Sequence, residues 1–228
     1  QNNIYCVHVT RHKFSKLTKE ITKPKSDAFL VDFHKDIKSL LINNNYYLND
    51  KIIDEEMQNS ELTFKIIDNS GISIKDPNSS SYTIHKFTPK SFLKVFKDRY
   101  LGAGAVIYSK KEKDYTNNKS IIEKFWKINE EDFFSHFYKL LNNIDENSAD
   151  REKFASISDY CLSEIKRIIL ENENIKNSIF TGKKDFEEPF GATYSFIKNN
   201  LNKFEYSDFY VSQGSSRKKN PTIIIKPK

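Results

Sequence analysis

The stretch YTIHKFTPKSFLKVFKDRYLGAGAVIYS, residues 82–109, holds the clearest local structural signals in the chain. Its first six residues are mostly β-branched or aromatic and predict a strand. Thr88 suits a helix N-cap and Pro89 suits the first helical position, so we expect a helix that continues to about Tyr100. The Leu-Gly-Ala-Gly run then ends this helix, and residues 105–109 predict a second strand. Such a strand–helix–strand unit predicts a partly parallel sheet.

Further elements are predicted on both sides of this stretch. Residues 28–42 predict a helix because apolar side chains recur there at helical spacing. Residues 61–76 predict a β-hairpin, with two β-rich arms around the turn sequence DNSG. Residues 148–172 predict the longest helix, with an apolar stripe along one face. Residues 209–212 and 222–226 predict two strands joined by a basic turn.

These elements together predict an α+β (mixed α/β) fold in a single domain over residues 1–228. We expect a mixed β-sheet flanked by helices, with the strand–helix–strand unit near 82–109 and a C-terminal hairpin. No linker rich in Gly, Pro or Ser divides the chain. The aromatic share of 14% favours a folded chain over disorder, because each buried aromatic ring removes a large area from water.

The composition also bears on where the protein works. No apolar run approaches the ~18 residues that a membrane span requires, and no leader peptide is visible, so we expect no membrane partner. The 2 cysteines show neither a metal-binding nor a disulfide spacing. A reducing, cytoplasmic location is therefore expected.

The net charge of +6 is concentrated at the two ends of the chain. Residues 1–25 hold six bases and one acid, and residues 209–228 hold five bases and no acid. The remaining residues carry 26 bases and 30 acids. If both ends fold onto one face, that face attracts phosphate groups. The alternative is that both ends are merely solvated.

A basic stripe is predicted on the helix that begins at Pro89. Lys90, Lys94 and Lys97 follow one another at positions i, i+4 and i+7, opposite the apolar face expected at Leu93. A stripe of this kind can lie along a phosphate backbone. It is also what a solvated helix face looks like in a lysine-rich chain, and the sequence leaves both interpretations open.

The basic turn near the C-terminus is the other predicted contact region. We predict contacts to nucleic acid from six of its polar side chains: Gln213, Ser215, Ser216, Arg217, Lys218 and Lys219. Small residues there permit close backbone approach, and the hydroxyl and amide groups can contact phosphates or base edges. Arg217 carries the most weight, because only five of the 37 basic residues are arginines. The alternative is a solvated turn on an edge strand.

A metal-dependent active site is predicted in the hairpin at 61–76. Glu61 opens the first arm, Asp68 lies in the turn and Lys75 ends the second arm, so Glu61 and Lys75 are expected to face each other. The two acids would hold Mg²⁺ and the lysine would act on the attacking water or the phosphate. The pattern resembles the endonuclease fold of many restriction enzymes, with one departure: Ser73 stands where that motif has a second acid. An ordinary amphipathic hairpin is the alternative.

The sequence therefore predicts a nucleic-acid-binding protein, with duplex DNA as the favoured partner. In its catalytic form it would be a Mg²⁺-dependent endonuclease of restriction or defence type. The alternatives are a non-catalytic DNA or RNA recognition domain of a larger enzyme and a protein-interaction domain. Convergence of Glu61, Asp68 and Lys75 in one groove would separate catalysis from recognition, and the position of the positive charge bears on the third alternative.

Overall fold

A computed structural model describes most of the chain. The described residues are 3–8, 27–48, 50–60, 62–68, 70–74, 83–108, 114–145, 149–181, 193–198, 200–203, 209–214 and 221–227. Contacts between residues divide the chain into a first unit, residues 1–78 with 180–204, and a second unit, residues 79–179 with 205–228. Each unit is compact by itself. The single domain over residues 1–228 stays a prediction.

Helices and strands both occur throughout the described residues, which confirms the predicted α+β class. The strands are β1 Ile4–His8, β2 Ala28–Phe33, β3 Phe64–Ile66, β4 Ile72–Ser73, β5 His85–Phe87, β6 Thr193–Lys198, β7 Asn200–Lys203, β8 Phe209–Gln213 and β9 Ile223–Pro227. The helices are α1 Lys38–Asn43, α2 Asp50–Ser60, α3 Pro89–Phe96, α4 Arg99–Val106, α5 Asp114–Ile121, α6 Glu130–His136, α7 Tyr138–Leu141, α8 Asp150–Glu171 and α9 Glu173–Thr181. A π-helical turn, Ile122–Trp126, continues α5. Within the described residues, no helix has both the length and the apolar character needed to cross a bilayer.

The sheet of the first unit is built around β2. Its strands follow the order β1-β2-β4-β6-β7, with β3 also paired to β2. The pairing of β4 with β6 is parallel, and the pairings of β2 with β1, β3 and β4 are antiparallel. The sheet is therefore mixed, as predicted.

The helix predicted over residues 28–42 is wrong in its first half, which forms β2. Phe29 and Phe33 are four positions apart, and that even spacing places them on one side of a strand as well as of a helix. Val31 decides between the two, because a helix would turn it away from Phe29. Phe29, Val31 and Phe33 are instead all buried in one core cluster with Ile37.

The hairpin predicted over residues 61–76 is also wrong, although both of its strands form. β3 and β4 pair with successive parts of β2 rather than with each other. The chain between them bends while it follows the same edge, and the Ser70 hydroxyl accepts a 2.9 Å hydrogen bond from the backbone N–H of Leu30. The long apolar strand β2 thus outcompetes the local pairing that the turn sequence suggested.

The start of α3 in the second unit confirms the prediction. The Thr88 side chain accepts a hydrogen bond from the backbone of Ser91, and the Ser91 hydroxyl accepts one in return from the backbone of Thr88. The predicted end near Tyr100 is wrong, because α3 stops at Phe96. Its buried face carries Phe92 rather than the predicted Leu93.

The second strand of the predicted strand–helix–strand unit is wrong, since the chain forms α4 up to Val106. Gly102 and Gly104 do not end a helix here but allow it to pack closely. A Cβ atom on Gly102 would overlap the Trp126 indole, and one on Gly104 would overlap the Cys161 thiol on α8. The burial of the α4 residues outweighs the low helix propensity of glycine.

The sheet of the second unit is antiparallel. Its strand order is β5-β9-β8, and Gln213 of β8 stands opposite Ile223 of β9. The predicted C-terminal hairpin is therefore confirmed, whereas β5 has an antiparallel neighbour instead of the predicted parallel one. The predicted long helix is confirmed as α8, with Ile157, Cys161 and Ile165 buried on one face.

Gly102→Ala should destabilise the protein by about 1–3 kcal/mol, because the added methyl group overpacks a site formed by the rigid rings of Trp126 and Phe92. The gain in helix propensity, about 1 kcal/mol, offsets only part of this loss. Urea unfolding followed by circular dichroism measures the difference. Ser163→Ala, at an exposed position of α8, is the control and should cause no loss. Equal stabilities of Gly102→Ala and wild type would contradict the close packing.

Candidate nucleic-acid interface

The predicted lysine stripe lies at the surface of the second unit. Lys90 and Lys94 are one helical turn apart on α3, and Lys97 follows where the helix ends. Lys97 has φ 58°, in the left-handed region, so the chain turns there before α4 begins with Arg99. All four of these side chains are exposed. We call Lys90, Lys94, Lys97 and Arg99 the basic row.

The charge around the basic row is strongly one-sided. From residue 83 to residue 108 the sequence has five bases and one acid, Asp98. A carboxylate oxygen of Asp98 accepts a 3.0 Å hydrogen bond from the backbone N–H of Leu101, which caps α4. The one local negative charge is thus directed toward a helix N-terminus, where it is favourable. The segment from residue 83 to residue 108 therefore has a net charge of +4, five bases less one acid.

A shallow cleft opens beside the basic row, with a volume of about 450 Å³. Its lining consists of Leu93, Lys97, Asp98, Arg99, Tyr100 and His136. The rings of Tyr100 and His136 are stacked, with 4.2 Å between their centroids and 9° between their planes. The Arg99 guanidinium lies 5.3 Å from the centre of the Tyr100 ring. The cleft thus combines flat aromatic groups with charges of both signs.

Local structure explains how these residues meet. The left-handed turn at Lys97 and the Asp98 cap separate α3 from α4, which places Arg99 and Tyr100 in the first turn of α4. The Arg99 guanidinium also donates a 3.3 Å hydrogen bond to the carbonyl of Lys127. His136 comes from the end of α6, distant in sequence, and no sequence signal connected it with this region.

The C-terminal turn is only partly described. Ser215, Ser216, Arg217, Lys218 and Lys219 lie outside the described residues, so their predicted role stays a prediction. The strands that lead into the turn are paired, and the backbone N–H of Gly214 donates a 2.7 Å hydrogen bond to the carbonyl of Thr222. The two strands of the hairpin are therefore paired up to Gly214 and Thr222.

Gln213 has a different position from the predicted one. Its side-chain amide nitrogen donates to the carbonyl oxygen of Ile107 and to the hydroxyl of Ser158, at 2.5 and 2.9 Å. Both partners are buried. The contact of Gln213 with nucleic acid stays a prediction; in the fold, its alternation within β8 turns the amide nitrogen inward, where it satisfies a buried carbonyl.

The predicted metal site receives no support from the fold. Glu61 and Lys75 lie outside the described residues, and Asp68 is exposed in the turn after β3. The strand pairing that should have brought Glu61 near Lys75 does not form, because β3 and β4 both pair with β2. Among the described residues, no group of three or more His, Cys, Asp and Glu side chains is placed to hold a metal ion. The catalytic role of these three residues stays a prediction.

The two cysteines lie in different environments. Both are unpaired; Cys6 is exposed on β1 and Cys161 is buried on α8. Burial raises the pKa of the Cys161 thiol far above its usual range, with a further contribution from the nearby carboxylates of Asp98 and Glu164. Because the thiolate is the nucleophilic form, Cys161 acts as a packing residue.

No protein-family model matches the chain, and comparisons with curated proteins and with solved structures also give no match. A functional assignment therefore depends on the chain's own geometry. The basic row and the cleft belong to the same compact unit.

Gln213→Ala should lower the free energy of unfolding by about 1–3 kcal/mol, because the buried Ile107 carbonyl and Ser158 hydroxyl lose a hydrogen-bond donor. Affinity for nucleic acid should not change. Gln58→Ala, at an exposed position of α2, should alter stability by less than about 0.5 kcal/mol and serves as the control. A loss of affinity without a loss of stability would instead support the predicted contact of Gln213 with nucleic acid.

Proposed function

We propose that this protein binds nucleic acid through the basic row on α3 and α4. The observation that carries the proposal is the exposed row of four bases in the segment 83–108, whose one acid, Asp98, caps a helix. At a rise of about 1.5 Å per residue, Lys90 and Lys97 are separated by about 10 Å along the axis of α3. That length corresponds to about three phosphates of one strand at ~3.4 Å each along a duplex axis.

The distribution of charge between the two units supports the same proposal. The second unit carries 22 bases and 17 acids, whereas the first carries 15 bases and 14 acids. The basic ends of the chain belong to different units, because β1 lies in the first and the C-terminal hairpin in the second. The positive charge near β1 therefore belongs to the other unit. The charge excess that bears on the basic row is that of the second unit.

Recognition without catalysis is the form of the proposal that fits the described residues best. The catalytic alternative required the hairpin at 61–76, and that hairpin does not form. Cleavage remains testable in any binding assay by adding Mg²⁺ and examining the length of the nucleic acid. A cytoplasmic location is included in the proposal, since both cysteines are unpaired.

A protein-interaction role is the second candidate, and one observation in the first unit favours it. Tyr46 and Tyr47 are 73% and 65% exposed on the turn that follows α1. Tyr46 has a φ of 58°, which is unfavourable for a bulky side chain. Adjacent exposed aromatic rings held in this way are typical of contact surfaces. Failure of the folded protein to bind any nucleic acid would favour this second role.

Binding should weaken steeply with salt, because each phosphate contact releases a counterion. Fluorescence anisotropy between about 50 and 200 mM salt should give a linear fall of log affinity with log salt concentration. Lys90→Ala and Lys94→Ala should each reduce that slope by about 1. Lys38→Ala, an exposed lysine of α1 in the first unit, is the matched control and should leave the slope unchanged. A flat salt dependence, or an equal effect of Lys38→Ala, would exclude the basic row.

The C-terminal turn generates a separate prediction. Arg217→Ala should cost about 1–3 kcal/mol of binding free energy if Arg217 contacts a base edge with both of its terminal nitrogens. Lys218→Ala and Lys219→Ala should cost less, and Arg217→Lys should not restore affinity, because a point charge lacks the fork geometry. The same anisotropy assay measures all four variants. Equal small losses across the three alanine variants would instead indicate diffuse attraction to phosphate.

A further inference from the structure

The basic row explains attraction to a phosphate backbone, but it leaves most of the adjacent cleft without a role. Phosphates need neither the stacked rings of Tyr100 and His136 nor the apolar surface of Leu93, and the Asp98 carboxylate repels them. These groups nevertheless line the same cleft as Lys97 and Arg99. The cleft therefore fits a ligand that has an anionic part and a flat, polar ring.

The chemistry of the lining matches a nucleotide base. Unpaired bases bind to proteins by stacking on aromatic side chains, on histidine and on the planar guanidinium of arginine. Tyr100, His136 and Arg99 provide all three kinds of group. The rings of Tyr100 and His136 stack on each other, and the Arg99 guanidinium lies against the Tyr100 ring. A carboxylate such as that of Asp98 accepts hydrogen bonds from base amino groups. The volume of about 450 Å³ lies within the range of small-ligand pockets, roughly 300–1,000 Å³.

We propose that this cleft binds one unpaired base of a single-stranded nucleic acid, while Lys97 and Arg99 contact the phosphates that flank it. The inference rests on the proposed function, since the basic row must first hold the backbone. A base within a duplex presents only its edges, so it must leave the stack before it can enter the cleft. The protein therefore binds a single strand more tightly than the duplex that the sequence alone favoured.

Three probes of equal length separate base binding from backbone binding: a single strand, its duplex, and an abasic strand with the same number of phosphates. The wild-type protein should bind the single strand at least about fivefold more tightly than the abasic strand, as expected for one stacked base. Lys90→Ala should weaken binding to all three probes by a similar factor, because it removes a backbone contact only.

Variants of the ring stack test the cleft itself. His136→Ala, at an exposed position, and Tyr100→Leu should each lower affinity for the single strand about fivefold or more and leave the abasic strand unaffected. Tyr100→Phe keeps the ring and is the matched control, with an affinity close to wild type. Thermal unfolding of each variant establishes that it is folded. If Tyr100→Leu does not fold, His136→Ala alone tests the cleft.

The possible failures of the two proposals have different signatures. Equal affinity of the wild-type protein for the single and abasic strands, or an unchanged single-strand affinity of His136→Ala, would overturn base binding and leave the basic row in place. Tighter binding to the duplex than to the single strand would overturn it as well. Absence of binding to all three probes at low salt would overturn both proposals.

Discussion

The close approach of α4 to the helices behind it determines the surface of the second unit. Gly102 and Gly104 have no side chain, and this lets the α4 backbone reach the Trp126 indole and the Cys161 thiol. Residues 101–106 are all buried as a result. The second half of α4 is fixed in the core, and its first turn begins at the surface with the exposed Arg99. Arg99 and Tyr100 lie in that turn, so the cleft depends on a packing contact made by two glycines.

The features that sequence reasoning predicted correctly are those that depend on neighbouring residues. Thr88 and Pro89 define the start of α3 through contacts within one turn, and the exposure of Lys90 and Lys94 follows from their spacing on the same helix. The long helix α8 was predictable because its apolar stripe extends over many turns. The C-terminal hairpin was predictable because two β-rich segments flank a short basic turn.

The features that sequence reasoning missed depend on distant partners. A Gly-Ala-Gly run predicts a helix end unless one knows that Trp126 and Cys161 will fill the space beside it. Likewise, the segment after β3 contains a good turn signal, which predicts that β3 pairs with β4. Both strands pair with β2 instead, and β2 is distant in sequence. His136 joined the candidate site through a contact with Tyr100 that spans the sequence between α4 and α6. Such contacts leave no periodic pattern in either segment.

The helix N-termini of the second unit differ in the charges of their first turns. Helix N-termini favour acids, and α6 follows this rule with Glu130, Glu131 and Asp132 in its first turn. The first turns of α3 and α4 contain no acid, and they contain Lys90 and Arg99 instead. A cation at a helix N-terminus opposes the helix dipole; at α4 the Asp98 cap offsets this effect, whereas the first turn of α3 contains no acid to offset that of Lys90. Solvation of the surface does not require a lysine in the first turn of α3, since Lys94 in the last turn of the same helix is exposed and has the position that the dipole favours. Under the proposed function, a phosphate beside Lys90 would interact favourably with that side chain and with the N-terminus of α3 together.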